Sequence, residues 1–199
     1  MTAQVVLASG SRSRAEILAK AGVLFTAEAA NVDESDIRAS MQAEKAPAMA
    51  AANTLAELKA KKVSTRHPQA LVIGSDQILE CGGAWFGKPA DLDDARAQLW
   101  TLRGRTHRLV NGTCVVLNGT KIWTYGDAPE LTMRTASDAF IETYLTQMGA
   151  RALTVVGAYE IEGLGAQLFA KITGDFFSIL GLPLLPLLDF LRGHKVLPE

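Results

Sequence analysis

The sequence has 199 residues, 48% of them hydrophobic, and a formal net charge of −1. A chain of this length and apolar content can bury a full core as one large domain or as two closely joined lobes. The balanced charge excludes a general nucleic-acid or anionic-membrane surface, which would need a clustered basic excess. The first residues lack the pattern of a signal peptide, and no run approaches the roughly 18 apolar residues of a membrane span. We therefore expect a cytoplasmic globule with no membrane or nucleic-acid partner, in which any anion meets a local site.

Strands and helices alternate from the first residues, which is typical of the α/β class. The first half of the chain predicts a buried strand over Gln4–Ala8, a helix that Ser11 caps and Gly22 closes, a strand over Leu24–Ala29, an acidic loop over Asn31–Asp36, a helix over Ala46–Lys62, and a strand over Leu71–Gly74 that ends at Ser75 and Asp76.

The second half continues the alternation but adds antiparallel turns. It predicts a hairpin over Ile78–Phe86, a helix over Asp91–Leu102, strands over Thr106–Leu117 and Lys121–Tyr125, a helix over Ser137–Met148, a glycine-rich passage over Gly157–Gly181, and a final helix from near Pro183. Asn118-Gly119 is the strongest signal for a tight antiparallel turn, so the sheet is expected to be mixed. No repeat or linker divides the chain, and residues 1–199 are treated as one domain.

The turn between the first strand and helix is a candidate anion site. The first N–H groups of a helix are unpaired and its macrodipole is positive there, so a phosphate can accept their hydrogen bonds. Ser9, Gly10 and Ser11 leave that approach open. Arg12 and Arg14 lie in the first helical turn, where acidic residues are usual, and a bound anion would relieve this placement. A capped surface helix with solvated arginines is equally consistent with the stretch.

Three further stretches carry charged residues in informative positions. Asp76 directly follows an apolar strand, where a carboxylate needs a partner or a function. Asp33 and Glu34 suit a Mg²⁺ ion bound together with phosphates, although an acidic loop is more often simply solvated. Lys88 precedes a proline that pre-orders it, but it is also typical of a plain turn. His107 is more often a satisfied structural residue in such a strand than a base.

Short motifs occur in a fixed order over nearly the whole chain. They are Leu7–Ser11, Asp33-Glu34, Leu55-Ala56 with Lys59-Ala60, Ile73–Asp76, Gly87–Pro89, Gly104 with Thr106-His107, Gly157–Tyr159 and Gly181–Pro183. In type, order and spacing they resemble the Maf family of nucleoside triphosphate pyrophosphatases. The resemblance implies an elongated ITPase-like α/β fold, with a central mixed β-sheet flanked by helices, two lobes with a cleft between them, and a frequent homodimer.

The resemblance also implies a reaction and a site. Family members hydrolyse a nucleoside triphosphate to the monophosphate and pyrophosphate with a divalent metal, Mg²⁺ or Mn²⁺. Asp76 would be the general base or metal-linked carboxylate that activates water, and Glu34 the second catalytic and metal-binding carboxylate. The residues implied to hold the triphosphate are Ser9, Ser11, Arg12, Arg14, Lys59 and Lys88.

The departures from the family pattern concern specificity. Arg12-Ser13-Arg14 stands where the family commonly has Pro-Arg-Arg. Gln77 and Glu162 are more similar to the branch that prefers 7-methyl-GTP than to the branch acting on dTTP and UTP. A carboxylate suits guanine because it accepts from the base N1–H and the exocyclic amine. Ser13, however, stands where that branch usually has a tryptophan for the cationic methylated base.

Two classes of function are compared on this basis. The first is a house-cleaning enzyme that removes modified nucleotides, with 7-methyl-GTP-like substrates favoured and dTTP or UTP as the alternative. The second is a nucleotide-binding regulator of septum formation with little turnover. Carboxylates repel a triphosphate unless a metal intervenes, so the presence of both Asp76 and Glu34 favours the enzyme.

Overall fold

The structure is a computed structural model that describes residues 3–198. Its strands are β1 (Val5–Leu7), β2 (Thr26–Ala27), β3 (Leu71–Cys81), β4 (Ala84–Phe86), β5 (Thr106–Leu117), β6 (Thr120–Asp127), β7 (Glu130–Met133) and β8 (Phe169–Thr173). Its α-helices are α1 (Arg12–Lys20), α2 (Glu34–Ala43), α3 (Ala48–Ser64), α4 (Leu92–Leu102), α5 (Asp138–Met148), α6 (Phe176–Ile179) and α7 (Leu184–Gly193). Short 3₁₀ segments cover Gly149–Thr154, Val156–Ala158 and Leu164–Leu168. Within residues 3–198, no helix is both long and apolar enough to span a bilayer.

The strands form one mixed sheet in the order β2-β1-β3-β5-β7-β8, with β4 paired to β3 and β6 paired to β5. β1 runs parallel to both β2 and β3, whereas the pairs β3–β4, β5–β6, β5–β7 and β7–β8 are antiparallel. The prediction of an α/β fold with a central mixed sheet flanked by helices is therefore confirmed.

The chain divides into two compact units, each built from separate segments. The first unit comprises residues 3–77, 110–128 and 175–198, and the second comprises residues 78–109 and 129–174. β3 and β5 continue from one unit into the other along the chain.

Helix α3 of the first unit lies unusually close to the sheet. A Cβ atom added at Gly74 on β3 would lie 2.1 Å from the carbonyl oxygen of Ala56, and one added at Gly112 on β5 would lie 2.5 Å from the backbone of Ala52. Ala52 and Ala56 on the facing side of α3 are fully buried. Glycine on the strands and alanine on the helix thus bring the α3 backbone against the sheet and fix the distance from which Lys59 reaches β3.

The opposite face of the sheet in the first unit is covered by α1 and α7. Its core is aliphatic and includes Leu7, Leu18, Ile73, Val115, Leu187 and Leu191. Because burial of such side chains is the main favourable term in folding, this layer holds the start of α1 in place at the end of β1.

The second unit contains a buried histidine. His107 Nε2 lies 2.7 Å from the Tyr159 hydroxyl, and the imidazole packs against the rings of Tyr159 and Phe169. Its Nδ1 is buried with no hydrogen-bond partner among residues 3–198. Burial lowers the pKa of His107 to about 4, so the ring is neutral at physiological pH. The structural role expected for His107 agrees with this packing, although only one of its nitrogens is satisfied.

The capped helices and tight turns follow the predictions closely. Ser11, Asp91 and Ser137 are the N-caps of α1, α4 and α5, and each side chain accepts a hydrogen bond from a backbone N–H of the first turn. Asn118 and Gly119 both have positive φ in the turn between β5 and β6. These signals are local, which explains why single residues predict them.

The acidic loop predicted over Asn31–Asp36 is wrong from Glu34 onward, where α2 begins. Asp33 is the N-cap, and its carboxylate accepts from the backbone N–H of Asp36. Acidic residues in a first helical turn interact favourably with the macrodipole, so the same charges that suggested a solvated loop here start a helix.

Three strand predictions also need correction. The strand predicted over Leu71–Gly74 continues to Cys81, so Asp76 lies inside β3 rather than after it. The strand predicted over Leu24–Ala29 is reduced to Thr26–Ala27, because β1 offers only three residues for pairing. β7 was not predicted, and the glycine-rich passage contains β8 and α6.

Candidate active site

The first part of the candidate site is the turn from β1 to α1 in the first unit. Ser11 Oγ accepts from the backbone N–H of Arg14 at 3.4 Å, and Ser9 Oγ accepts from the backbone N–H of Ser11 at 3.2 Å. Both hydroxyl oxygens thus order the start of the helix. The aliphatic core below fixes this turn at the carboxyl end of β1, where the positive end of α1 is available to an anion.

Arg14 is a buried cation whose direct partners are all neutral. Its Nε donates to the Gly181 carbonyl at 2.7 Å, and its Nη1 donates to the Ser75 carbonyl at 3.0 Å and to Ser9 Oγ at 3.2 Å. Within the described chain, no carboxylate forms a salt bridge with it. Burial lowers the pKa of Arg14, and the fields of Asp76 and Glu34 act in the opposite direction. A bound anion would supply the charge partner that this guanidinium lacks.

A cluster of four charged side chains forms the second part. Lys59 Nζ lies 2.7 Å from Asp76 Oδ1 and 2.8 Å from Glu34 Oε1. Arg38 Nη2 lies 2.9 Å from Asp76 Oδ2, 3.0 Å from Asp76 Oδ1 and 3.1 Å from Glu34 Oε2. Each cation therefore contacts both carboxylates, and the carboxylates converge on one small volume.

Each member of this cluster comes from a different part of the first unit. Asp76 lies on the face of β3 that meets α3, because residues two apart on a strand share a face and Gly74 packs on that helix. Lys59 comes from α3, and Glu34 and Arg38 lie one turn apart on α2. The close packing of α3 on Gly74 thus positions Lys59 against Asp76.

The electrostatics of Asp76 follow from burial and three cations. The side chain is only 2% exposed, which by itself raises the pKa of its carboxyl. The positive charges of Lys59, Arg38 and Arg14 outweigh this effect and hold the pKa of Asp76 below its usual range. Asp76 is therefore ionised at neutral pH despite its burial.

The two carboxylates fit a divalent metal ion of a particular kind. Among residues 3–198, no group of three or more His, Cys, Asp or Glu side chains is arranged to hold a metal. A closed protein cage is thus absent from the described residues. Mg²⁺, however, is commonly bound by one or two carboxylates together with substrate phosphates, and Glu34 and Asp76 supply such a pair.

Gln77 and Ser13 were predicted to read the base. Because Gln77 follows Asp76 on β3, its side chain lies on the opposite face of the sheet. Its Nε2 lies 3.1 Å from Asn111 Oδ1 and from the Ser178 carbonyl, and 3.2 Å from the Ile179 carbonyl. Backbone carbonyls only accept, so the amide orientation is fixed and Oε1 is left as an acceptor. Ser13 lies half-buried in the first turn of α1.

The other predicted residues lie elsewhere. Arg12 is exposed on α1 and pairs with Glu16 at 2.6 Å. Lys88 and Glu162 belong to the second unit, where both are exposed, Lys88 between β4 and α4 and Glu162 between two 3₁₀ segments. The structure brings Ser9, Ser11 and Arg14 together, and separately Glu34, Lys59 and Asp76. The functional roles of all these residues stay predictions.

Two features of the first unit were not predicted from the sequence. Arg38 contacts both carboxylates, and its position four residues after Glu34 would have indicated this contact once α2 was recognised. Asp127 accepts from Asn111 Nδ2 at 3.1 Å and from the Ser178 hydroxyl. Burial raises the pKa of Asp127. No local pattern in the sequence connects these three residues.

The fold and the site define an α/β protein with a helix start and four clustered charges suited to a phosphorylated ligand. A profile described as Maf-like protein matches residues 4–194. A relative from Paramagnetospirillum magneticum, named nucleoside triphosphate pyrophosphatase, is 54% identical over 95% of this chain and 97% of that protein. One of the same name from Hyphomonas neptunium is 51% identical over 100% of both chains. One from Rhizobium johnstonii, named 7-methyl-GTP pyrophosphatase, is 46% identical over 96% of both. The chain belongs to the Maf family.

Proposed function

We propose that this protein is a nucleoside triphosphate pyrophosphatase, a hydrolase that converts a nucleoside triphosphate to the monophosphate and pyrophosphate. Relatives that share about half of its residues over almost its whole length carry this name. The observation that carries the proposal is the buried carboxylate Asp76, held ionised by Lys59 and Arg38, in the same unit as a buried Arg14 that has no anionic partner.

The positive groups of the first unit bind and orient the triphosphate. The N-terminus of α1 offers backbone N–H groups, and Arg14 offers a guanidinium already fixed by the Gly181 and Ser75 carbonyls. Lys59 adds an ammonium beside the carboxylates. Pre-fixed cations of this kind favour the charge that develops on the transferred phosphoryl group, because they need no reorganisation during the reaction.

The chemical step is a hydrolysis in which Asp76 accepts a proton. A water oxygen attacks the α phosphorus, the bond from that phosphorus to the oxygen that bridges it to the β phosphorus breaks, and pyrophosphate leaves. The water proton passes to Oδ2 of Asp76, which keeps one lone pair beyond the one that accepts from Arg38. Glu34 and Asp76 would hold Mg²⁺ or Mn²⁺, which when bound lowers the pKa of water and offsets phosphate charge.

The favoured substrate is a 7-methyl-GTP-like nucleotide. Gln77 and Glu162 are the residues that resemble the branch of the family preferring this nucleotide, and the Glu162 side chain is an exposed carboxylate. A carboxylate suits guanine, which offers an N1–H and an amine, better than uracil or thymine, which offer one N–H. Some relatives are named for 7-methyl-GTP and others only for nucleoside triphosphates. A dTTP or UTP pyrophosphatase is the alternative within the same reaction. Removal of non-standard nucleotides would follow from a preference for a modified base.

The proposal is tested by pyrophosphate release with Mg²⁺ from 7-methyl-GTP, GTP, dTTP, UTP and CTP. Asp76→Asn is expected to lower turnover on the order of 100-fold or more, the usual contribution of a general base. Asp91→Asn is the matched control, because it makes the same chemical change at a helix cap where Asn also serves. A thermal melt checks that each variant is folded.

The outcomes separate the candidate functions. Metal-dependent release that is lost in folded Asp76→Asn and kept in Asp91→Asn supports the enzyme. Unchanged turnover in folded Asp76→Asn would remove this carboxylate from the mechanism. Nucleotide binding by the wild type without any release would favour the nucleotide-binding regulator. Glu162→Gln is expected to weaken the preference for guanine over uracil, and an unchanged ranking contradicts that role.

The homodimer that the family resemblance implies and the cytoplasmic location expected from the sequence are part of this proposal. Size-exclusion chromatography with light scattering tests the first, because a dimer doubles the mass of the 21.3 kDa chain. Fractionation of cells that produce a tagged chain tests the second.

A further inference from the structure

Of the two cations in the charged cluster, Arg38 is held less firmly than Lys59. Its three contacts to Asp76 and Glu34 all use Nη2, which has two N–H groups for three oxygens. The paired, two-nitrogen geometry that makes arginine–carboxylate contacts strong is not formed. Its Nε is buried and has no hydrogen-bond partner among residues 3–198. The guanidinium is therefore incompletely satisfied where it stands.

Exposure distinguishes Arg38 from Lys59 and Asp76, whereas the Glu34 side chain is 37% exposed. The Arg38 side chain is 23% exposed, whereas those of Lys59 and Asp76 are 8% and 2% exposed. Arg38 also lies on α2, an amphipathic helix none of whose residues is buried, whereas Lys59 lies on the tightly packed α3. Moving the Arg38 guanidinium thus disturbs less of the protein than moving Lys59 or Asp76 would.

The four side chains in direct contact balance in charge only while Arg38 is present, and the field of Arg14 adds further positive charge. Glu34 and Asp76 carry two negative charges, and Lys59 and Arg38 carry two positive ones. A divalent cation added to this partly buried group would leave an excess of positive charge beside the buried Asp76 and Lys59, which is unfavourable. A metal ion that arrives with a triphosphate brings a net negative charge, because the triphosphate carries more charge than the ion neutralises.

We infer that Arg38 keeps Glu34 and Asp76 neutralised until a triphosphate is present, so that metal binding depends on the nucleotide. The inference rests on the proposed function and adds that the metal binds together with the nucleotide or after it. On nucleotide binding, the guanidinium turns from the carboxylates to the phosphates, where its Nε and remaining N–H groups gain acceptors. Because coupling between two ligands is reciprocal, bound metal raises the affinity for the nucleotide by the same factor by which the nucleotide raises the affinity for metal.

The inference is tested by the affinity of the protein for Mn²⁺, measured by electron paramagnetic resonance without nucleotide and with an α,β-methylene triphosphate analogue. Without nucleotide, Arg38→Gln is expected to bind Mn²⁺ about tenfold more tightly than the wild type, within the range of typical coupling effects. With the analogue, the difference is expected to shrink, because the guanidinium has left the carboxylates in the wild type.

Three further variants make the result specific. Arg38→Met is expected to show the same gain, and it serves if Arg38→Gln does not fold. Arg38→Lys keeps the charge and is expected to stay near the wild type. Arg66→Gln removes an arginine that pairs with Glu28, and its Mn²⁺ affinity is expected to be unchanged.

Every outcome decides the inference. An Mn²⁺ affinity in Arg38→Gln and Arg38→Met that is unchanged or weaker without nucleotide overturns it, and so does an equal gain in Arg66→Gln. Pyrophosphate release is measured on the same wild-type preparation. If that release is absent, the proposed function fails, while the Mn²⁺ comparison still judges the role of Arg38.

Discussion

Replacing Gly74 by alanine tests whether the close contact between β3 and α3 sets the geometry of the site. The added Cβ would lie 2.1 Å from the Ala56 carbonyl oxygen, and ordinary contacts begin at 3.4 Å, so the helix must move by about 1.3 Å. Overpacking of this kind costs about 1–3 kcal/mol. For a chain of this size, we expect the melting temperature to fall by about 2–12 °C. The backbone at Gly74 does not have a positive φ, so the effect is steric.

The same displacement reaches the active site through Lys59. A shift of α3 by that distance stretches the 2.7 Å contact between Lys59 Nζ and Asp76 Oδ1 beyond hydrogen-bond length. Misplacement on this scale is expected to lower kcat/KM by up to about 100-fold. The assay is turnover and thermal unfolding on one preparation, with Gly193→Ala as the control, because nothing lies within 4 Å of a Cβ there. A Gly74→Ala protein as stable and active as the wild type would refute the reasoning.

Two further predictions concern buried polar groups. Because burial lowers the pKa of His107 to about 4, the unfolded chain binds a proton between pH 6.5 and 4 that the folded chain does not. The resulting contribution to the free energy of unfolding is complete above about pH 6.5 and is lost as the pH falls through 4, a change of up to about 3 kcal/mol. Urea unfolding at several pH values measures this loss. If the free energy of unfolding of His107→Phe depends on pH as steeply as that of the wild type, the prediction is contradicted. Ser178→Ala removes the hydroxyl that donates to Asp127 and leaves this half-buried carboxylate with Asn111 as its remaining partner in the contact. We expect the free energy of unfolding, measured in urea, to fall by about 1–3 kcal/mol. A Ser178→Ala protein as stable as the wild type would count against the contact.

Local signals explain what could be predicted from the sequence. Ser11 caps α1 through its own side chain, and Asn118-Gly119 turns β5 into β6 because both residues tolerate positive φ. The burial of Asp76 followed from the apolar run before it, and the structure places Lys59 against it. These inferences depend on residues adjacent in the chain or, for Asp76, on a charged residue that directly follows an apolar run.

The remaining features depend on contacts between distant parts of the chain. Asp127 and Ser178 are separated by 51 residues, and neither has a pattern that indicates the other. Polar residues at the end of an apolar run suggested that the strand stops at Ser75 and Asp76. β3 continues through both because Asp76 accepts from Lys59 on α3 and Ser75 donates to the Gly181 carbonyl. Arg38 was missed for a different reason, since its role follows from Glu34 only after α2 is recognised as a helix.

The hydrogen bond from Arg14 to the Gly181 carbonyl joins residues 167 positions apart, and it has a consequence for biosynthesis. Translation supplies the arginine almost at once but its acceptor only near the end of the chain, after the whole second unit has emerged. A nascent chain that has not reached Gly181 must keep this guanidinium hydrated, so it cannot complete the compact first unit. Ribosome-bound intermediates and products cut short before Gly181 are therefore expected to be inactive and open to chaperones and proteases, so that activity is expected only when synthesis is nearly complete.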